Sequence, residues 1–175
     1  VVHHYEAGFR AGVKTINPNV EVITVYSDSF IDPAKGKSDA LAIIGKGADV
    51  VFHASGDTGQ GVIEAAREKN VFAIGVDSDQ NKLAPNHVIS SMIKRVDVAV
   101  FDVSKMTQAD AFPGGQIITL GLRENGVGYS DTTLWNQMPE GTRAEVDRWA
   151  DAIKEGKFTV PNDMTKFKDW TAPKL

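Results

Sequence analysis

The sequence predicts an α/β fold: a mainly parallel, doubly wound sheet with helices on both faces. Three observations carry that expectation. Short apolar, β-branched runs alternate with longer stretches in which apolar residues recur at helical spacing. The run Phe72–Val76 has the composition of a strand buried on both faces, and it stops abruptly at Asp77-Ser-Asp79. A second run, Asp49–His53, leads straight into Ser55-Gly-Asp-Thr-Gly-Gln-Gly61 and then into a helical stretch.

Taken in order, Tyr5, Phe9, Val13 and Ile16 fall on one helical face, and Asn17-Pro18 ends that helix. Glu21–Tyr26 is β-branched and reads as a strand, followed by a polar loop with one conspicuous apolar residue, Phe30. Asp32-Pro33 is a helix start, with Asp as cap and Pro at the first helical position, and Gly45-Lys-Gly47 closes that helix. Asp49–His53 is the next strand, Val62–Lys69 the next helix, and Phe72–Val76 the third strand. His87–Ile93 reads as a fourth, partly polar strand ending in Lys94-Arg95. Asp97 then caps a helix on which Val98, Phe101 and Met106 share a face. Phe112-Pro-Gly-Gly115 breaks the pattern and marks a boundary or hinge. Beyond it, Ile117–Leu122 and Val127–Tyr129 flank Glu124-Asn-Gly126 as a predicted hairpin. Pro139–Glu155 is a helix with Val146, Trp149 and Ile153 inward and Gly156 as its stop, and the polar tail from Lys157 carries scattered aromatics.

Composition narrows the function. The 175 residues are 42% hydrophobic and 24% charged, enough for a packed core. A net charge of −4, with no dense Lys/Arg patch, argues against a nucleic-acid surface. Cysteine is absent, which excludes a disulfide frame and a thiolate nucleophile. No apolar run approaches the ~20 residues of a membrane-spanning helix.

An open parallel sheet holds its ligand outside the carboxyl ends of its strands. The Phe30 loop, the Ser55–Gly61 loop, Asp77 and Lys94 all follow predicted strand ends, so they share one rim. An aromatic face, a backbone-lined turn, a carboxylate acceptor and a cation suit a small polar ligand with a flat part and hydroxyls. Each has a plainer reading. Asp77 would cap a turn, Ser55–Gly61 would be a tight strand-to-helix turn, and Phe30 would pack on the core. The glycine-rich stretch is neither a phosphate loop ending in Lys-Ser/Thr nor a dinucleotide fingerprint. Catalytic patterns are weaker: no Gly-x-Ser-x-Gly elbow is present, and no serine has an evident His partner. His3 and His4 point different ways on a helix and belong at the surface, while His53 reads as a core or rim histidine. Asp77 and Asp79 as a metal loop or acid/base pair lack further oxygen ligands. No catalytic residue, metal site or cofactor is therefore expected.

Several stretches, in order, resemble the basic membrane protein family of bacterial solute-binding lipoproteins, in its purine nucleoside receptor type. They are Glu6-Ala-Gly-Phe-Arg-Ala-Gly-Val-Lys14, Phe30-Ile-Asp-Pro-Ala-Lys-Gly-Lys37 and Gly47-Ala-Asp-Val-Val51. Gly56-Asp-Thr-Gly-Gln-Gly61, Ile74-Gly-Val-Asp-Ser-Asp-Gln80, Ser91-Met-Ile-Lys94 and Asp97-Val-Ala-Val100 follow. The resemblance implies a lobe of a type I periplasmic-binding-protein-like fold, closing on a ligand with a second lobe. It implies the extracytoplasmic solute-binding component of an ABC importer rather than an enzyme. Its partners would be a purine nucleoside and the transporter permease, with the membrane reached only through an N-terminal lipid anchor that this chain lacks. Phe30 would stack on the base, and Gly56, Asp77 and Lys94 would lie near the ribose. Alternatives are a ligand-sensing regulator built on the same lobe, or a binding protein for a sugar or flavin.

The resemblance also implies a division of the chain. Residues 1–112 would be the second ligand-binding lobe lacking its first strand, and 113–175 a hinge crossing and return segment packing on a first lobe. A doubly wound lobe begins with a strand, whereas this chain opens on a helix. The expectation is that residues 1–175 are part of a longer chain, with Glu21–Tyr26 and Asp49–His53 flanking an empty slot in the sheet.

Overall fold

The computed structural model describes residues 2–175, so Val1 lies outside the described residues. Helix α1 (Val2–Ile16) is followed by α2 (Pro33–Ile44), β1 (Val50–Phe52), α3 (Thr58–Lys69), β2 (Phe72–Asp77), β3 (Val88–Lys94) and α4 (Val96–Gln108). Then come β4 (Val127–Tyr129), α5 (Thr142–Lys154) and α6 (Met164–Asp169), with short 3-10 turns at Asn81–Leu83 and Thr133–Gln137. The sheet order is β1-β2-β3-β4. The first three strands run parallel, with Val51 beside Ala73 and Val76 beside Met92, and β4 is antiparallel to β3, with Lys94 opposite Val127. The α/β class and the parallel order of the central strands follow the sequence reading.

Local chemistry accounts for α2 and its close packing on α3. Asp32 caps α2 by accepting a hydrogen bond from the Lys35 backbone N–H at 3.0 Å, and Pro33 occupies the first turn. Gly47, at φ +102°, turns the chain out of α2 towards β1. Helices α2 and α3 approach so closely that only glycine fits at their crossing. A Cβ on Gly61 would lie 1.8 Å from the Pro33 carbonyl oxygen, and one on Gly36 would lie 2.1 Å from that of Thr58. This pair covers a core of Val51, Ile63, Ala66, Ala73, Ala84 and Val88, with Ile43, Ile44, Val62 and Val71 packed around it. Each large member contributes about 1.5–3 kcal/mol by burial.

Four expectations are corrected. Glu21–Tyr26 forms no strand and pairs with none among the described residues. Its β-branched side chains fit a pleated surface, yet a strand exists only by pairing, and this segment bonds to α1 instead. The Tyr26 hydroxyl donates to Glu6, Thr24 Oγ1 donates to the same carboxylate at 3.1 Å, and Arg10 holds it from the other side at 2.9 Å. The hairpin also fails as a ladder. Asn125, at φ +55°, and a Gly126 N–H bond to the Gly121 carbonyl make the turn, but Ile117–Leu122 forms no strand and β4 pairs with β3. Helix α4 forms, but Asp97 is not its cap. Arg95 is, and its guanidinium holds the Asp97 carboxylate at 2.9 Å. The apolar face of α4 buries no residue. In the polar tail, α6 went unpredicted; Asp163 caps it by accepting from the Lys166 N–H at 2.7 Å.

Helix α5 is pinned to β4 by the Tyr129 hydroxyl, which donates to Asp147 at 2.6 Å. Burial and this bond push the Tyr129 hydroxyl up to about 12. Val146, Trp149 and Ile153 are half-buried on the inward face, and Trp149 meets Phe158 edge-on.

Candidate binding site at the carboxyl edge of the sheet

Because β1, β2 and β3 are parallel neighbours, their carboxyl ends form one edge of the sheet. Asp77 ends β2 and Lys94 ends β3. Their side chains meet as an ion pair, Nζ to Oδ1 at 2.6 Å, with each about half exposed. That hydrogen bond raises the Lys94 ammonium above its ordinary value, so the lysine stays charged and Asp77 keeps a nearby donor. Asp77 itself sits at φ +69°, and the Ser78 N–H bonds back to the Val76 carbonyl at 2.8 Å. The three residues make a γ-turn, a geometry that costs a non-glycine residue about 1–3 kcal/mol and concentrates at ligand sites. Asp79 is used differently: its Oδ1 accepts the Asn81 N–H at 3.0 Å, closing the loop on itself.

Phe30 and Gly56 form the second pair. The Phe30 carbonyl accepts the N–H groups of Asp57 (2.9 Å) and Thr58 (3.3 Å) at the start of α3. Thr58 Oγ1 fastens the same loop, accepting from the Asp32 N–H and donating to the Ser29 carbonyl. Gly56, at φ +56°, passes so close that a Cβ there would be 3.0 Å from the Phe30 oxygen and 3.6 Å from its ring. The backbone of Phe30 is thus fixed while its side chain is 59% exposed, which overturns the reading of Phe30 as a core residue. The glycine-rich stretch is explained at the same time. Its first N–H groups are spent on the Phe30 loop, Gly59 makes room for the His53 ring, and Gly61 admits α2. It is a packing and positioning turn, not a phosphate cradle.

His53 lies in the core, as expected, but its partnership with Gln80 escaped the sequence reading. His53, only 5% exposed, places Nε2 at 2.8 Å from Gln80 Oε1. The same oxygen accepts the Val76 N–H at 3.0 Å, and the Gln80 N–H donates to Ser91 Oγ at 3.1 Å. Burial pushes the His53 imidazole below its ordinary value, against the smaller influence of Gln80 and Asp77. The signal available in the sequence was Gly75 inside a strand, where glycine often marks a close approach. A Cβ at Gly75 would lie 2.7 Å from Gln80 Oε1 and 2.5 Å from Ser91 Oγ. His3 and His4 are exposed, as expected. Among the described residues no cluster of His, Asp or Glu could hold a metal ion.

This edge presents an exposed aromatic ring, an anionic acceptor and a cationic donor. Comparison with known proteins gives the family. Residues 1–159 match the family model described as "ABC transporter substrate-binding protein PnrA-like", and the chain belongs to that family. Its members are substrate-binding proteins, not enzymes. The chain is 40% identical to basic membrane protein D of Borreliella burgdorferi, over 97% of this chain and 51% of that protein. It is 37% identical to the "ABC transporter nucleoside-binding protein BmpA" of Lactococcus lactis, over 93% of this chain and 50% of that one. The crystal structure of an ABC transporter solute-binding protein from Aeropyrum pernix superposes with a TM-score of 0.70 at 28% identity, covering 95% of this chain and 55% of that chain. The chain thus spans about half the length of the curated relatives it matches.

Proposed function

We propose that this chain supplies one wall of the ligand cleft in the extracytoplasmic solute-binding component of an ABC importer, and that the solute is a purine nucleoside. The observation that carries the reading is the carboxyl edge itself: an exposed Phe30 fastened on Gly56, and the Asp77–Lys94 pair on the neighbouring strand ends. Phe30 stacks on the base, Asp77 accepts from the ribose hydroxyls, Lys94 bridges to them, and Gly56 lets the backbone approach. The nucleoside-binding name of the Lactococcus lactis relative supports the substrate class. In this reading residues 1–112 are the ligand-binding lobe and 113–175 the crossing and return segment. The division falls in the stretch without regular structure between α4 and β4. The permease is the partner that receives the loaded protein, and an N-terminal lipid is its tie to the membrane. No helix among the described residues is long and apolar enough to cross a membrane.

Calorimetric titration with guanosine, adenosine, inosine, ribose and riboflavin tests the assignment. Heat with the purine nucleosides is expected; heat only with ribose or riboflavin would replace the substrate. Within the site, Asp77→Ala should cost about 1.5–3 kcal/mol of nucleoside affinity as a charged acceptor is lost. Asp79→Ala should cost much less, since Asp79 is occupied with Asn81. Equal, small effects would show that Asp77 is only a turn residue.

A further inference from the structure

The γ-turn at Asp77 is the most strained point of the candidate site, and a strained backbone persists only where its surroundings over-determine it. Nothing in the Asp77–Lys94 ion pair does so, because both side chains are half exposed. The constraint lies beneath. The carboxamide oxygen of Gln80 reaches back to the Val76 N–H at 3.0 Å, joining the first residue of the turn to the residue two past its end. The Gln80 N–H is itself fixed to Ser91 Oγ on β3, and the Ser91 N–H is held by Ser130 Oγ at 2.9 Å. His53 provides the second donor to the Gln80 oxygen. An amide oxygen only accepts, so the facing Nε2 carries the hydrogen, and the buried Nδ1 has no partner among the described residues. A ring held in that tautomer, with no acceptor for a second proton, stays a neutral donor, in keeping with the downward push that burial gives it.

We infer that Gln80 and His53 are positioning residues of the ligand site: they lock the turn that presents the Asp77 carboxylate to Lys94 and to the ligand hydroxyls, without touching ligand themselves. Gly75 is the condition for this arrangement, since any side chain there would expel the Gln80 carboxamide. The inference rests on the nucleoside reading for its ligand but not for its geometry, and the two are tested apart.

Gln80→Met keeps the length and packing of the side chain and removes the acceptor; Gln80→Glu restores an acceptor at the same place. In Gln80→Met, exchange of the Val76 and Ser78 amide protons should accelerate at least about tenfold over wild type. Affinity for guanosine should fall about tenfold, one lost hydrogen bond's worth of alignment. Affinity for guanine, which has no ribose for Asp77 to hold, should stay unchanged. Gln80→Glu should recover most of both losses. His53→Leu, which removes only the second donor, should give the same pattern at smaller size and serves if Gln80→Met does not fold. Wild-type exchange rates at Val76 and Ser78 in the variants, or equal losses for guanosine and guanine, would overturn the inference. If the wild-type protein bound no nucleoside, the substrate reading would fall. The exchange rates at Val76 and Ser78 would still decide the positioning role.

Discussion

Helices α3 and α4 are nearly the same length, 12 and 13 residues, and each leaves the carboxyl end of a parallel strand. Both carry an apolar stripe. Yet α3 buries Thr58, Gly59, Gly61, Ile63, Ala65 and Ala66, whereas α4 buries nothing and leaves Val100 and Phe101 about 60% exposed. The difference lies in residue size and neighbours. Five of the six buried α3 residues are small, so α2 and the His53 ring reach its backbone and a continuous core closes over Ile63. The large apolar residues of α4 stay in the open: Val100 and Phe101 are exposed and Val98 is only half-buried. Periodicity reports that a helix has an apolar face; it is silent on what meets that face.

Three substitutions, in falling order of effect, would sharpen or break this contrast in urea unfolding. Ile63→Ala, at 1% exposure, should cost about 3–4 kcal/mol, combining lost burial with a cavity that the packed α2–α3 pair cannot collapse. Gly61→Ala should cost about 1–3 kcal/mol, because the new methyl meets the Pro33 backbone, which moves only if α2 moves. Phe101→Ala should change stability by no more than about 0.5 kcal/mol, the range of open surface positions. A Phe101→Ala loss comparable to that of Ile63→Ala would mean that the α4 face is covered in solution, and the contrast would collapse.

The same distinction between local and partner-dependent information explains what the sequence revealed. Caps and breakers such as Asp32-Pro33 and Gly47 act within a few residues, and they marked the ends of α2 correctly. The polarity switch at Asp77 and Lys94 likewise located the carboxyl edge, because strand ends are written in the chain itself. Glu21–Tyr26 and Ile117–Leu122 have strand-like composition, but a ladder needs a partner, and composition names none. The Gln80 clasp was hidden for the same reason. It joins β1, β2 and β3 through side chains far apart in sequence, and only Gly75 hinted at it.

The bonds that Glu6 makes to the 21–26 segment have a consequence in acid. Burial pushes its carboxyl up, but Tyr26, Arg10 and Thr24 together outweigh that and hold it below its ordinary 4.5. A carboxylate lowered by folding lends stability that is full above the ordinary value and drains away as pH falls through the lowered one. Tyr26 and Thr24 lie in a stretch without regular structure that pairs with no strand among the described residues, so the loss falls there first, ahead of the sheet. Limited digestion with pepsin should cut near Tyr26 increasingly as pH drops from about 5 to about 3. In Glu6→Gln the same cut should already be open at the upper end of that range. A segment tied down at neutral pH thus owes part of its fastening to one acid-labile carboxylate, beside an Arg10 bond to Thr24 Oγ1 at 2.7 Å that acid leaves in place.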